Sequence, residues 1–542
     1  MQLDYFAAMA ARSAVAPARW RRPFWRWLDG VEAGWAIPLL IVVFAAVWLL
    51  FLNIAYLSGD LHADALETWT LGRQFSWGNA KHPPLMGWVA NLWTRVFPLT
   101  NWSFQLLAMV NAAVALWAVD LIARRFVRGD SRAVVLLLLM LLPAYQFHAQ
   151  RFNANTVLLA IWPMTTYCFL RSFESRHISW AMATGACAAL AMLGKYYSIF
   201  LVGSLVLAAL MHPRRAVYLR SWAPWVSVVA GLVVLGPHLH WLNSTGAQPF
   251  AYALKVHAGV AFPQSICEAA TFVLGIAATL ALPALVWILS AELRLKRFPA
   301  DFRALSPGLV LLFWVFVGTV LLPTITTIAL GTDMPSLWAL QGLFLPAILI
   351  VCGASFALER LYVVNLAVFV AGIAAIAVVV AAPMHAYYRN NIHPNERSYY
   401  RLAAHQLTER WRQATGLPLA SVSGDDGLAF AASFYSPDHP VYRRPFQYQF
   451  EWGMPRVATL EKGWTAMCFA TDTTCTAWMD RVAALPAKGV RFDFEATPTL
   501  WGQSGIPATI TVLMVLPRGG SPGDAVSQGV VDLGAGHLPT VQ

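Results

Sequence analysis

The sequence predicts a polytopic α-helical membrane protein with about eleven transmembrane helices and a small external α/β domain at its C-terminal end. Three observations carry that expectation. Mean hydropathy is +0.55, with 58% hydrophobic and only 12% charged residues, where a soluble domain carries about 25% charged residues. Apolar runs of about 20 residues, the length that crosses a bilayer, recur from Trp35 to Tyr387. Beyond Tyr387 the runs stop, and shorter helix-like and strand-like stretches alternate.

Residues 1 to 34 carry Arg12, Arg19, Arg21, Arg22 and Arg26 ahead of the first apolar run, with no small-residue cleavage site. They are expected to form a cytoplasmic amphipathic basic arm rather than a signal peptide. The expected spans are residues 35 to 56, 102 to 123, 133 to 147, 154 to 170, 178 to 194, 197 to 211, 224 to 243, 265 to 290, 308 to 330, 336 to 354 and 363 to 386. Residues 57 to 101 make the first external loop. With the N-terminus inside, the cytoplasmic segments hold nineteen Arg and Lys, including Arg124, Arg125, Arg214, Arg215, Arg294, Lys296 and Arg297. The opposite loops hold six: Arg73, Lys81, Arg95, Arg151, Lys195 and Lys255. That asymmetry sets the orientation and accounts for most of the net charge of +11, so no nucleic-acid partner is implied.

Residues 178 to 211 admit two readings: two short spans turning at Lys195-Tyr-Tyr-Ser198, or one long tilted helix. The single helix would place Lys195 near mid-bilayer, at a cost of roughly 2.5–3.5 kcal/mol. Two spans are expected, and the odd total then puts everything after Tyr387 outside.

Residues 388 to 516 are expected to form a small periplasmic α/β domain. Its helices are expected over 398 to 414 and 476 to 485, with strands at 419 to 423, 465 to 470 and 509 to 516. Residues 517 to 542, rich in Gly and small polar residues, read as a disordered tail. Four of the six cysteines, Cys168, Cys187, Cys267 and Cys352, lie in or beside spans as packing residues. Cys468 and Cys475 stand in the external domain, where an oxidising compartment would allow a disulfide. No cysteine or histidine spacing matches a structural zinc site.

Acidic chemistry meets the membrane surface at Leu61-His-Ala-Asp-Ala-Leu-Glu-Thr-Trp69, followed by Lys81-His-Pro-Pro84. If residues 61 to 77 are helical, Asp64 and Glu67 project from one face. Such a pair can take a proton from an acceptor or hold a cation. A solvated amphipathic helix with Asp60 as its N-cap would carry the same residues without chemistry.

The order Asp64-x-x-Glu67-x-Trp69, then Lys81-His-Pro-Pro84, resembles the first external loop of glycosyltransferase family 39, bacterial members of the GT-C superfamily. Phe152-Asn-Ala-Asn155, Gly194-Lys-Tyr-Tyr197 and Pro237-His-Leu-His-Trp241 follow in the family's order. The resemblance covers residues 35 to 387 in topology, and an external α/β domain is usual in the family. Aminoarabinose transferases and galacturonosyltransferases that modify lipopolysaccharide are the nearer analogues, protein O-mannosyltransferases the more distant. The resemblance implies a GT-C fold in a bacterial inner membrane and transfer of a sugar from a polyprenyl-phosphate donor, such as undecaprenyl phosphate, to a lipid or glycan acceptor.

On that resemblance Asp64 is the base of a single inverting displacement, and Glu67 orients the acceptor. Lys81, His82, Lys195 and Arg151 meet the donor phosphate, because preorganised cations stabilise the dianion that leaves. Asn153, Asn155, Tyr196, Tyr197, His238, His240, Trp241 and Lys255 contact sugar or acceptor. Each has a plainer reading as well. Interfacial lysines snorkel, asparagines cap helices, and His and Trp populate aromatic belts. Relatives often carry an acidic residue near Asn153 and Asn155, so that contact departs from the family pattern. No cofactor is certain and a divalent metal is possible: Asp64, Glu67, His62 and His82 could hold one, at spacings that do not establish it.

A lipid-linked sugar flippase or other transporter would share the hydrophobicity and span count. Transporters carry repeated halves and midplane ionisable residues. This chain shows no internal repeat, and the ionisable residues singled out as candidates gather at the expected outer face. A structural or assembly subunit, its external domain recruiting partners, is the third class; loss of function on changing Asp64 alone would argue against it.

Overall fold

The computed structural model describes residues 19–79, 81–247, 249–250, 253, 257–443, 462–483, 489–517 and 530–531. Most of the expected N-terminal arm and C-terminal tail lie outside them. The arm's described end forms α1 (Arg22–Asp29), opened by Pro23 in its first turn and stopped at Gly30. Arg360 holds it by an ion pair to Asp29.

The membrane body follows. Its helices are α2 (Ala36–Ala55), α3 (Ala63–Gly72), α4 (Leu85–Thr94), α5 (Asn101–Ala123), α6 (Asp130–Leu139), α7 (Val157–Ser175), α8 (Ile178–Gly194), α9 (Ile199–Met211), α10 (Ala223–Ser244), α11 (Phe262–Ala291), α12 (Pro307–Leu330), α13 (Phe344–Gly353) and α14 (Arg360–Val380). The chain is a multi-pass membrane protein. Among the described residues six helices are long and apolar enough to cross a bilayer, α2, α5, α10, α11, α12 and α14 with its extension to Asn391. Two bent pairs raise the number to as many as eight: α6 with residues 143–150, at 77°, and residues 336–342 with α13, at 44°.

This differs from the expected eleven. Hydropathy is continuous through 133 to 147 and 336 to 354, but the backbone is not. Pro143 has no N–H to continue α6 and instead opens a new helical turn. Residues 336–342 form a tighter 3₁₀ turn before α13. The segments at 178 to 194 and 197 to 211 are helical but short.

Helix burial separates the core of the body from its lipid-facing rim. The apolar centre of α5 is 67% buried, against 6% in α10, so α5 is an internal post and α10 meets lipid. α10 is held by a close backbone approach instead. A Cβ on Gly185 of α8 would collide with the Ser227 carbonyl and the Gly231 nitrogen of α10, the small-residue contact expected where no hydrophobic effect drives helices together. The same device joins α3 to α4, where Gly72 rests on the Gly87 backbone.

After Asn391 the chain builds α15 (Tyr400–Thr415), β1 (Ser421–Gly424), α16 (Asp426–Tyr435), β2 (Val441–Tyr442), β3 (Trp464–Phe469), α17 (Thr473–Ala483), β4 (Gly489–Ala496), β5 (Thr499–Leu500), β6 (Gln503–Ser504), β7 (Ala508–Val515) and β8 (Val530–Val531). Six strands form one sheet in the order β2-β1-β3-β7-β4-β8. β1 runs parallel to β2 and β3; the β3, β7, β4 and β8 pairings are antiparallel. Asp425 caps α16 by accepting the Leu428 N–H at 2.9 Å. Cys468 and Cys475 are joined by a disulfide.

This sheet domain grips the first external loop. Asp60 accepts hydrogen bonds from the Arg401 backbone N–H at 2.7 Å and from its Nε at 2.9 Å. The Asp60 N–H donates to the Arg397 carbonyl, and the Leu61 N–H to Tyr435 Oη. Arg73 donates to the carbonyls of His439 and Pro440, and Trp69 packs edge-on against Phe434. Asp60 therefore does not cap α3, as the solvated-helix reading had it; His62, with an extended backbone, stands at that position.

Candidate active site

α3 is shorter than the expected 61 to 77, because the chain turns away after Gly72 to let α4 cross it. Its two carboxylates leave one side of the helix but end in different surroundings. Asp64 is half-exposed, at 41%, and Glu67 is buried, at 5%. Asn153 Nδ2 donates to Asp64 Oδ2 at 2.9 Å. Glu67 Oε1 lies 2.7 Å from Lys81 Nζ, and its Oε2 lies 3.6 Å from His82 Nε2.

The loop that delivers Lys81 and His82 is shaped by a residue the sequence reading passed over. Asn79 Oδ1 accepts the N–H groups of Lys81, at 3.0 Å, and His82, at 2.7 Å, a side-chain-made turn. Pro83 and Pro84, both buried, then lead into α4.

Residues 151–156 approach from the other side. Asn153 Oδ1 accepts the N–H groups of Asn155 and Thr156 while its amide nitrogen holds Asp64, so one side chain both opens α7 and orients a carboxylate. Arg151 Nη1 lies 3.1 Å from His62 Nε2. His62 Nδ1 accepts the Asp64 backbone N–H at 3.2 Å and lies 3.5 Å from Asp64 Oδ1. Burial lowers the His62 pKa to about 4, with the Asp64 charge opposing, so this ring is neutral at physiological pH. Burial also lowers the His82 pKa, against the pull of Glu67.

Lys195 breaks the helical run between α8 and α9 with an extended backbone. Its Nζ donates to Asn155 Oδ1 at 2.7 Å and lies 3.7 Å from the centre of the Trp338 ring. Burial lowers its pKa to about 7; the Asp64 charge opposes this, and the Lys81 charge adds to it. Trp338, Asp333 and their partner His257 were not expected as one cluster. His257 Nδ1 and Asp333 Oδ1 are 2.7 Å apart, and the His257 ring meets Trp338 edge-on. In sequence Trp338 is indistinguishable from any belt tryptophan.

The remaining expected contacts build the wall. His238 Nδ1 lies 2.6 Å from the Trp77 carbonyl and must donate to it, so Nε2 accepts from Tyr196 Oη at 2.9 Å. Trp241 stacks on His238 and covers Gly78, where a Cβ would strike its ring. These side chains clamp the 73 to 84 loop. Tyr197 is buried and stacked over Trp162. His240 is exposed, and no hydrogen bond or ring contact among the described residues joins it to the cluster. Lys255 lies outside the described residues. The possible metal set divides into two pairs, His62 with Asp64 and His82 with Glu67. Among the described residues no three His, Cys, Asp or Glu converge as metal ligands.

Residues 81–241 match the sequence family described as dolichyl-phosphate-mannose-protein mannosyltransferase. The chain is 25% identical over 206 residues to the lipid A galacturonosyltransferase RgtD of Rhizobium johnstonii, covering 38% of this chain and 42% of the relative. It thus spans about two fifths of the length of that curated relative. Its fold is similar to the crystal structure of ArnT from Cupriavidus metallidurans bound to undecaprenyl phosphate. The TM-score is 0.57 at 13% identity, over 88% of this chain and 98% of the other. Against the apo state of the same protein the TM-score is 0.56 at 13% identity, over 91% and 99% of the two chains.

Proposed function

We propose that this chain is a GT-C glycosyltransferase of the family 39 type that transfers a sugar from a polyprenyl-phosphate donor to an acceptor hydroxyl in the cell envelope. The observation that carries the reading is the half-exposed Asp64 carboxylate, oriented by Asn153, with Arg151, Lys81 and Lys195 supplied from three separate segments around it. The acceptor oxygen attacks the anomeric carbon as the bond from that carbon to the phosphate oxygen breaks. Asp64 takes the acceptor proton, and the polyprenyl phosphate leaves as a monoester dianion that the cations stabilise. His62 stands between Arg151 and Asp64 and holds the start of α3 by accepting the Asp64 backbone N–H.

Glu67 serves a different purpose from the acceptor contact that the resemblance implied. It is buried against Lys81 and His82, and there it positions the lysine. The likeness to the lipid A galacturonosyltransferase RgtD supports a lipid acceptor, and the loop charge asymmetry supports a site on the periplasmic face of the inner membrane. The mannosyltransferase family match supports a second reading, in which the acceptor is a protein.

The test is transfer of radiolabelled sugar from a polyprenyl-phosphate donor pool in membranes carrying wild type or Asp64→Asn. Wild type is expected to label a lipid or lipopolysaccharide fraction, and the near-isosteric variant to lose at least about 10²-fold in rate. Label in protein selects the second acceptor. Equal labelling by both forms removes Asp64 as base. A labelled donor that changes leaflet with no acceptor labelled makes the chain a transporter.

A further inference from the structure

The helical run of α14 does not stop at Val380. A wide π-helical turn over Ala381–Tyr387 and a last α-turn, Tyr388–Asn391, carry it to the membrane end where α2 stops and the first external loop begins. Pro383, inside the wide turn, has no N–H to give to an α-helical pattern, and turns of this kind gather at functional sites. This one is tied to the loop by the Ser58 hydroxyl, which donates to the His385 carbonyl at 3.4 Å. One helical turn on, Arg389 Nη2 lies 3.3 Å from His385 Nδ1, and its Nη1 makes a long bond of 3.5 Å to the Ala55 carbonyl.

Arg397 reaches the same place from the start of the sheet domain. Its Nε donates to the Asp60 carbonyl at 3.1 Å, its guanidinium carbon lies 4.1 Å from the centre of the Tyr56 ring, and its Nη2 is buried with no hydrogen-bond partner. Arg389 and Arg397 are half-buried, and their charges repel each other. Among the described residues neither forms an ion pair; each meets only carbonyls and rings. The carboxylates at hand are engaged elsewhere. Asp60 holds Arg401 with both oxygens, and Glu396 accepts from Tyr400 Oη at 3.2 Å. Two half-buried guanidiniums without a counter-charge are costly. A phosphate, whose oxygens accept the forked N–H groups of arginine, is the anion that offsets this cost. Leu57, Met384, Tyr387, Tyr388 and Ile392, beside these cations in the chain, are exposed, so the phosphate arrives on a lipid rather than free in water.

We infer that Arg389 and Arg397, with His385, are the binding site for the phosphate of a membrane lipid, held where the membrane body meets the sheet domain. The site stands at the same membrane end as Asp64, shares no residue with that cluster and does not depend on the proposed reaction.

The full chain in nonionic detergent is mixed with phosphatidic acid carrying a diazirine at the glycerol end of one acyl chain, or with the diacylglycerol of the same chains. After irradiation, labelled peptides are mapped by mass spectrometry. Phosphatidic acid is expected to label residues 55–58 and 384–392 roughly tenfold or more above diacylglycerol, the preference that charge-assisted bonds to a phosphate provide. Arg389→Gln, which loses only the contacts to Ala55 and His385 and leaves the Asp60 clasp in place, should remove most of that excess, and Arg389→Lys should keep part of it. Labelling of the exposed Leu232 and Val233 on α10 stays constant in both as the sign of an intact fold. Lys195→Gln, at the proposed donor phosphate, should leave the excess unchanged. Unlabelled lipid A and phosphatidylglycerol are then added as competitors. Displacement at lower lipid A concentration makes the bound phosphate that of an acceptor; displacement by phosphatidylglycerol at the same or lower concentration makes it that of a bulk lipid. Equal labelling by the two probes, an excess that survives Arg389→Gln, or displacement by neither competitor overturns the inference.

Discussion

A lysine ammonium lodged against an indole face and an amide oxygen loses most of its water, and Lys195 is such a group, with its pKa lowered to about 7. It is charged below that pH and neutral above it. In its proposed role at the donor phosphate Lys195 acts in the charged form, so kcat/KM for the donor is expected to fall as pH rises through about 7. The bound donor phosphodiester, a monoanion, favours the ammonium and moves the fall in kcat to higher pH. Lys195→Gln should lower kcat/KM and erase that limb in an initial-rate pH profile; persistence of the limb would assign it elsewhere. His62, neutral above about 4, adds no limb between pH 5 and 9. At this scale the ionisable residues were legible, because Asp64, Lys81, Arg151 and Lys195 are conspicuous in a chain only 12% charged. Asn79 and Trp338 were not. Their residue types are common at any membrane interface, and Trp338 meets Lys195 from 143 positions away in the chain.

Elements were legible where hydropathy and backbone continuity coincide. α2, α5, α10, α11 and α12 fall where the apolar runs do, and the helix break at Lys195 follows from the cost of immersing its charge. The bends at Pro143 and after Gly342 escaped because a hydropathy window counts side chains, not hydrogen bonds. α16 and β4 escaped as well; α16 is apolar on nearly every side, being buried between the sheet and α3, and so shows little periodicity. The α8–α10 contact provides a prediction. Gly185→Leu must push α10 away from α8, since backbone atoms of Ser227 and Gly231 occupy the space. Overpacking of this order costs roughly 1–3 kcal/mol, and a lower thermal midpoint of the solubilised protein is the expected readout. Gly236→Ala, where no atom stands within reach, should leave that midpoint nearly unchanged.

In the whole molecule, the sheet domain and the first external loop share one set of polar contacts. Asp60 is buried, and burial raises its pKa despite Arg401 and Arg397. Asp60→Ala leaves the Arg401 groups without their carboxylate. Since the Arg401 side chain is 50% exposed, water recovers part of the loss, and roughly 1–3 kcal/mol is expected. Limited trypsin digestion of the solubilised protein should then cut near Arg397 and Arg401 several-fold faster than in wild type. Unchanged protection would mean that the clasp rests on Tyr435, Arg73 and Trp69 alone.

The amino-acid sequence by itself determined the membrane class, most of the spans and the conspicuous charges, because the free energy of placing a side chain in or out of hydrocarbon depends on that side chain alone. Which charges meet was decided only by tertiary structure. Asp64 and Glu67, three residues apart, receive opposite environments because Asn153 reaches one while Lys81 and His82 bury the other. Asp60 serves the external domain because Arg401, 341 positions away, is folded onto it. Contacts of that range depend on how helices cross and where the chain returns, and no local pattern of residues encodes them.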